Sequence, residues 1–226
     1  MASQNQQQQD ENAIEKMNNQ LTDAGMKIAD NKSVITWVVT GVLVAAALVF
    51  AFVHFYQKPK NEKAFTAYNK VELTAMGNDS VAAAQYKEVA DKFGGKAANL
   101  ASLSAAEALY NEGKYEEAVK YLKKFSSKDA VLEANAIVLT GDCYVNLKKY
   151  DEAISAYQQA VRKADGNPQI VPRVLLKEAN VYDEQKKYDK ALECYTIIKK
   201  DYSDFRLGNG VDIDAYIARE NARLGK

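Results

Sequence analysis

Covalent and acid–base catalysis draw on histidine, cysteine and carboxylate side chains held within reach of one another. This chain offers few such sets. Its one histidine, His54, stands at the end of a long apolar block, where an interfacial polar residue is expected. With no other histidine, the soluble part has no histidine-based triad and the chain has no two-histidine metal motif. Cys143 and Cys194 are 51 residues apart. They are too few for a metal site and read as small side chains inside helices, although an oxidising compartment would leave a disulfide open to them. Gly94-Gly95-Lys96-Ala97 has the ending of a phosphate loop without the rest. Position 90 is alanine where the first glycine belongs, and Ala97 replaces the required Ser or Thr. That run reads as a turn between helices. Acids recur in "EEA", "DEA" and "DKA" (from Glu116, Asp151 and Asp189), at the regular spacing of carboxylates that favour helix starts. Asp212-Ile213-Asp214 lacks the longer ligand pattern of a calcium loop. These residues argue against an enzyme, and no cofactor is expected. A net charge of zero likewise offers no basic field for a polyanion.

The elements around these residues are uneven in character. Residues 1–33 begin "MASQNQQQQDENA", a low-complexity polar tail expected to be largely disordered. Within it Ile14, Met17, Leu21, Ala24 and Ile28 form an a/d stripe of about two heptads, short of what a coiled coil needs. A short amphipathic helix and chance spacing both account for it. Residues 34–56, "VITWVVTGVLVAAALVFAFVHFY", hold no Asp, Glu, Lys or Arg. As a helix this block would be roughly 34 Å long, enough for a hydrocarbon core of roughly 30 Å. Trp37 at one end and Phe55 and Tyr56 at the other suit the two interfaces. The block is too long for the hydrophobic region of a cleaved signal peptide, too far from the first residue, and no small-x-small site follows it. It is expected to remain as a transmembrane signal anchor. A linker is expected at 57–63, with Pro59 bending or interrupting the helix. Lysines are balanced across the span: Lys16, Lys27 and Lys32 with the amino terminus before it, Lys58, Lys60, Lys63 and Lys70 after it. Orientation is therefore not set by positive charge, and the acids of the tail lean slightly towards an outside N-terminus.

From Ala64 onwards the sequence favours helix throughout. Pro168 and Pro172 fall in one loop, and no alternating β-branched run appears, so this part is expected to be all-α. It also repeats itself. "NEGKYEEAVKYL", "NLKKYDEAISAY" and "EQKKYDKALECY" place Ala118, Ala153 and Ala191 at intervals of 35 and 38. Around each alanine an apolar stripe recurs: Tyr115, Ala118, Leu122 and Phe125; Tyr150, Ala153, Tyr157 and Ala160; Tyr188, Ala191, Tyr195 and Ile198. This is the core face of an amphipathic helix. Upstream lies a partner helix with a small residue (Ala106, Gly141 or Ala179) expected to face the repeated alanine at a close crossing. Such a helix pair cannot bury its stripe alone and must stack on neighbours. Ala82, Tyr86 and Val89 suggest a degenerate earlier unit, and a helix over 212–224, after a turn at Gly208–Gly210, suggests a cap.

The period, the paired small residues and the tyrosine before the second alanine resemble the tetratricopeptide repeat family. The resemblance implies an all-α fold, an N-terminal transmembrane helix followed by an α-solenoid of about three to four helix pairs with a C-terminal capping helix. The repeat domain would occupy 64–226, with units at about 64–96, 99–132, 134–167 and 172–205 and the cap at 212–224. The whole arrangement, with "FGGKAANLA", "GDCY" and "YIAR", is similar to single-span bacterial inner-membrane proteins ancillary to the Sec translocon. That implies a cytoplasmic N-terminus, a periplasmic repeat domain, and partners among Sec translocon subunits, periplasmic chaperones or secreted chains. By the family's geometry the concave groove would be lined by Leu103, Glu107, Tyr110 and Asn111, by Val138, Asp142, Val145 and Asn146, and by Leu176, Asn180, Asp183 and Glu184. Two other functions fit the same residues: a cytosol-facing receptor for client proteins, and an assembly factor of an envelope or division complex.

Overall fold

The computed structural model describes residues 16–18, 22, 32–75, 77–205 and 212–226. Most of the polar tail, including Ile14, Leu21, Ala24 and Ile28 of its stripe, lies outside the described residues, as does the turn at Gly208–Gly210. All the regular structure among the described residues is helical. The chain divides into two units, residues 1–59 and 60–226.

In the first unit, α1 runs from Lys32 to Ala51 and leads into a π-helical segment, Phe52–Gln57. The helical run containing these residues has the length and apolarity to cross a membrane. Apolar side chains along it point outward, with Trp37 at 77% and Leu48 at 67% exposure. At the far end Phe50 stacks on His54 at 5.6 Å and Phe52 on Tyr56 at 5.3 Å. The expected linker at 57–63 is helical instead: α2 spans Lys58–Thr74 and takes Pro59 into its first turn. The reason lies just before it. The Lys58 N–H donates to the Val53 carbonyl, five residues back, in place of the usual four. This wider turn makes room where a proline ring would otherwise crowd a preceding carbonyl, and Pro59 needs no bond for an N–H it lacks.

The second unit consists of α2 and eight further helices among the described residues: α3 (Asp79–Lys92), α4 (Gly95–Asn111), α5 (Tyr115–Leu122), α6 (Ala130–Asn146), α7 (Tyr150–Lys163), α8 (Val171–Glu184), α9 (Tyr188–Asp201) and α10 (Ile213–Arg223). From α3 to α10 each packs on the next. Helix α2 joins the stack where Tyr68 meets Tyr86 on α3 at 5.4 Å and Val71 enters the same core, giving four pairs and a further helix stacked as a solenoid. The repeated stripes are its core. Ala118, Ala153, Ala160, Ala191 and Tyr195 are fully buried, with Tyr157 and Ile198 close behind. In the first pair it is Ala83 rather than Ala82 that is buried with Tyr86 and Val89. That places the alanine 35 residues before Ala118, the same interval as from Ala118 to Ala153. The core falls into two clusters that share Tyr144 on α6.

The repeated phrase also writes the turns. At the end of α6, Lys149 N–H donates to the Tyr144 carbonyl at 2.8 Å and Lys148 N–H to Val145 at 2.9 Å. The same pair of bonds closes α4 (Lys114 to Leu109, Gly113 to Tyr110) and α8 (Lys187 to Tyr182, Lys186 to Asp183). This is the Schellman arrangement, which needs a left-handed residue at its corner. Gly113 supplies it in the first case, but Lys148 and Lys186 are held there at φ 58°. A side chain in that region costs about 1 kcal/mol or more. Replacing Lys148 by glycine, as at position 113, is therefore expected to stabilise the chain by about 0.5–1 kcal/mol. The check is a higher urea midpoint at unchanged slope.

Candidate partner-binding groove

The first helices of the pairs, α4, α6 and α8, carry the twelve residues expected to line a groove, at three equivalent sets of positions. The structure separates these sets. Tyr110, Asp142, Val145, Asn146, Asn180 and Glu184 come together around one depression of about 360 Å³. Leu103, Val138 and Leu176, which share one repeat position, do not reach it. Leu103 and Val138 are half-buried against the two core clusters, and Leu176 is a buried core residue at 9% exposure. These three positions lie where that face borders the neighbouring helices, so that an apolar side chain meets the core. Glu107 and Asn111 are exposed, and Asn111 donates to Asp79 at 3.4 Å. Asp183 is half-buried and already held by the cap, through Arg219 and, at 3.2 Å, through Arg223.

The depression is built around Asp142. The buried Tyr157 hydroxyl donates to its Oδ1 at 2.6 Å, and Lys177 Nζ donates to Oδ1 and Oδ2 at 2.9 and 3.0 Å. Burial, reinforced by the Asp142 carboxylate, holds the Tyr157 phenol far above its ordinary pKa, so it acts as a fixed donor. Beside it, Asn146 Nδ2 donates to the Asp142 carbonyl at 2.9 Å and reaches the Tyr110 hydroxyl at 3.4 Å. Asn180, Glu184 and the Tyr110 hydroxyl leave donors and acceptors free to meet a polypeptide backbone.

Sequence reasoning missed three lining residues: Tyr157, Lys177 and Val181. Lys177 was findable, because it lies 35 residues after Asp142 and so faces it from the next pair's first helix. Tyr157 was assigned wholly to the core; its ring is there, and only its hydroxyl turns to the groove.

Elsewhere on the surface, Glu178 is buried at 5% exposure, and its Oε1 accepts from Gln158 at 2.8 Å. Burial holds that carboxyl above the usual range. Cys143 and Cys194 are both buried free thiols, one in each core cluster. Burial pushes each thiol up to about 12, which leaves little thiolate for chemistry. No group of three or more His, Cys, Asp or Glu residues able to hold a metal occurs among the described residues.

The comparisons with known proteins agree with this architecture. Residues 88–160 match the family described as anaphase-promoting complex, cyclosome, subunit 3, and residues 173–204 match the tetratricopeptide repeat family. Among solved structures, the chain is similar to a crystal structure of MamA protein, at 21% identity and a TM-score of 0.56 over 74% of this chain and 83% of that one. A second MamA structure, from AMB-1, is similar at 21% identity and a TM-score of 0.50, covering 71% of this chain and 88% of the other. No curated protein sequence matches the chain. The fold is an α-solenoid of stacked helix pairs. More narrowly, residues 173–204 match a tetratricopeptide repeat, and the stacked helix pairs share the fold of the MamA structures.

Proposed function

We propose that the chain is a single-span protein of a bacterial inner membrane that holds its repeat groove in the periplasm, beside the Sec translocon, to receive secreted chains or periplasmic chaperones. One observation carries the membrane part: in the apolar window of the spanning helix no residue is buried. A water-soluble protein would have to leave that face, apolar all round, in solvent at large cost. The groove supplies the partner-binding part. The translocon setting and the orientation rest on the resemblance of the tail, anchor and repeat order to ancillary translocon subunits.

Protease added to intact spheroplasts is expected to digest residues 60–226 while sparing the N-terminal tail. Digestion of the repeats only after lysis would reverse the orientation and sink the periplasmic assignment. Crosslinking in intact membranes is expected to capture Sec channel subunits, and their consistent absence would remove the translocon from the proposal.

A further inference from the structure

We propose that the N-terminal half of the groove, around Glu72 and Glu107, receives a lysine- or arginine-bearing segment of the partner protein. This rests on the reading of the groove as the partner surface and adds the charge of what it takes.

The observation is a ladder of four positions carrying three acids, one of them answered by a cation of the same chain and two not. Glu72, Glu107, Asp142 and Asn180 occupy the same position on α2, α4, α6 and α8, at intervals of 35, 35 and 38 residues. In the C-terminal half the chain neutralises its own acids with cations from about one repeat period downstream. Lys177 lies 35 residues after Asp142 and holds it with two hydrogen bonds. Arg219 lies 36 residues after Asp183 and holds that carboxylate from the cap. In the N-terminal half the residues equivalent to Lys177 are Ser104 on α4 and Leu139 on α6, neither of them a cation. Glu72 and Glu107 are exposed, and neither makes an ion pair among the described residues.

The surroundings of these two acids suit a cation. Tyr68, one turn before Glu72, bonds through its hydroxyl to Ser104, one turn before Glu107, at 3.1 Å, and burial together with the charges of both carboxylates raises that phenol above its ordinary pKa. Tyr68 packs against Tyr86 at 5.4 Å. An arginine or lysine entering here would meet two carboxylates, a phenol oxygen and aromatic faces, a set that favours cations on both charge and quadrupole grounds. A phosphorylated or acidic segment would meet only repulsion. Lys177 and Arg219 thus show, within the chain, how this wall of the solenoid is completed.

The test uses the full chain in mild detergent and three fluorescent peptides of about twelve residues in one Ser/Gly/Leu frame, carrying arginine, glutamine or glutamate at alternate positions. Anisotropy is expected to show tightest binding of the arginine peptide, weakening with salt. The double variant Glu72→Gln, Glu107→Gln is expected to lose about tenfold in affinity for it. Glu116→Gln, on an exposed acid in the first turn of α5, is expected to change nothing. Equal binding of the glutamine or glutamate peptide, lost on Asn146→Ala, would overturn the charge assignment and leave the groove standing. Equal weakening by Glu116→Gln would also overturn it. No binding of any of the three peptides would overturn both.

Discussion

Gly141→Ala is expected to destabilise the repeat domain by about 2–3 kcal/mol, although alanine is the better helix former. A Cβ at this position would sit 2.5 and 2.7 Å from two ring carbons of Tyr157 and 3.1 Å from a third. The ring has nowhere to go. It is 2% exposed, and its hydroxyl is held at 2.6 Å by an Asp142 that is itself held by Lys177. Forcing the ring aside costs about 1–3 kcal/mol in overpacking, and a weakened hydrogen bond to a carboxylate adds about 1.5–3. The helix gains about 1 kcal/mol from losing a glycine, which is too little to offset these losses. Thermal unfolding of the full chain should fall by roughly 5–10 °C. A second substitution separates this clash from a general intolerance of the site. The first repeat pairs Ala106 with Leu122 at the equivalent positions. In a Tyr157→Leu background, Gly141→Ala should therefore cost much less, a coupling that a double-mutant cycle reads directly. A neutral Gly141→Ala would show that the crossing is looser than the packing here requires.

That glycine also marks where the sequence speaks and where it falls silent. Period, stripe and small residues were legible because helix stacking demands them at fixed intervals, and Ala118, Ala153 and Ala191 are all fully buried. What faces what was less legible. Gly141 was expected opposite Ala153, yet the atoms that crowd it belong to Tyr157, one turn further along α7. Spacing identifies the face of a helix but not the offset between two helices, which depends on how large side chains interlock. The groove was read with the same strength and the same weakness. Six of its twelve expected residues share one depression, whereas Leu103, Val138 and Leu176 turn to the core. Their apolar character gave the warning: an aliphatic residue repeated at one position of every unit is more cheaply placed inside than in a polar groove. Pro59 misled for a different reason. A proline removes one hydrogen bond, and the π-turn before it absorbs that loss without ending the helix.

The second large effect is expected at the cap, where Arg219→Ala should cost about 3 kcal/mol. Arg219 Nε donates to Glu220 at 2.6 Å, its Nη2 binds Asp183 and reaches the Tyr195 hydroxyl at 3.4 Å, and the guanidinium lies 4.8 Å over the Tyr216 ring. Tyr216 in turn stacks on the buried Tyr195 at 5.1 Å. Removing the arginine leaves two neighbouring carboxylates, Glu220 fully buried, with Arg223 alone to answer both. Breaking a buried pair from one side costs about 3–5 kcal/mol, and the partial exposure of the arginine places this case at the lower end. Because α10 packs chiefly on α9, the loss should be local, with faster amide exchange over 213–223 before the other helices open. Its pH dependence identifies the cause. In the native chain the two arginines hold Glu220 below the usual carboxylate range against its burial, while burial and the Glu220 charge raise Asp183. Without Arg219 both carboxyls should titrate higher than in the unfolded chain. A raised acid stabilises the folded state below its unfolded pKa, and that stability is lost as pH rises through the folded value. The deficit should thus be largest at neutral pH and shrink as pH falls to about 4. Arg219→Lys should recover only part of it, since an ammonium cannot fork to Glu220 and Asp183 as a guanidinium does. An equal deficit at both pH values would assign the effect to lost packing on Tyr216 instead of to the stranded carboxylates.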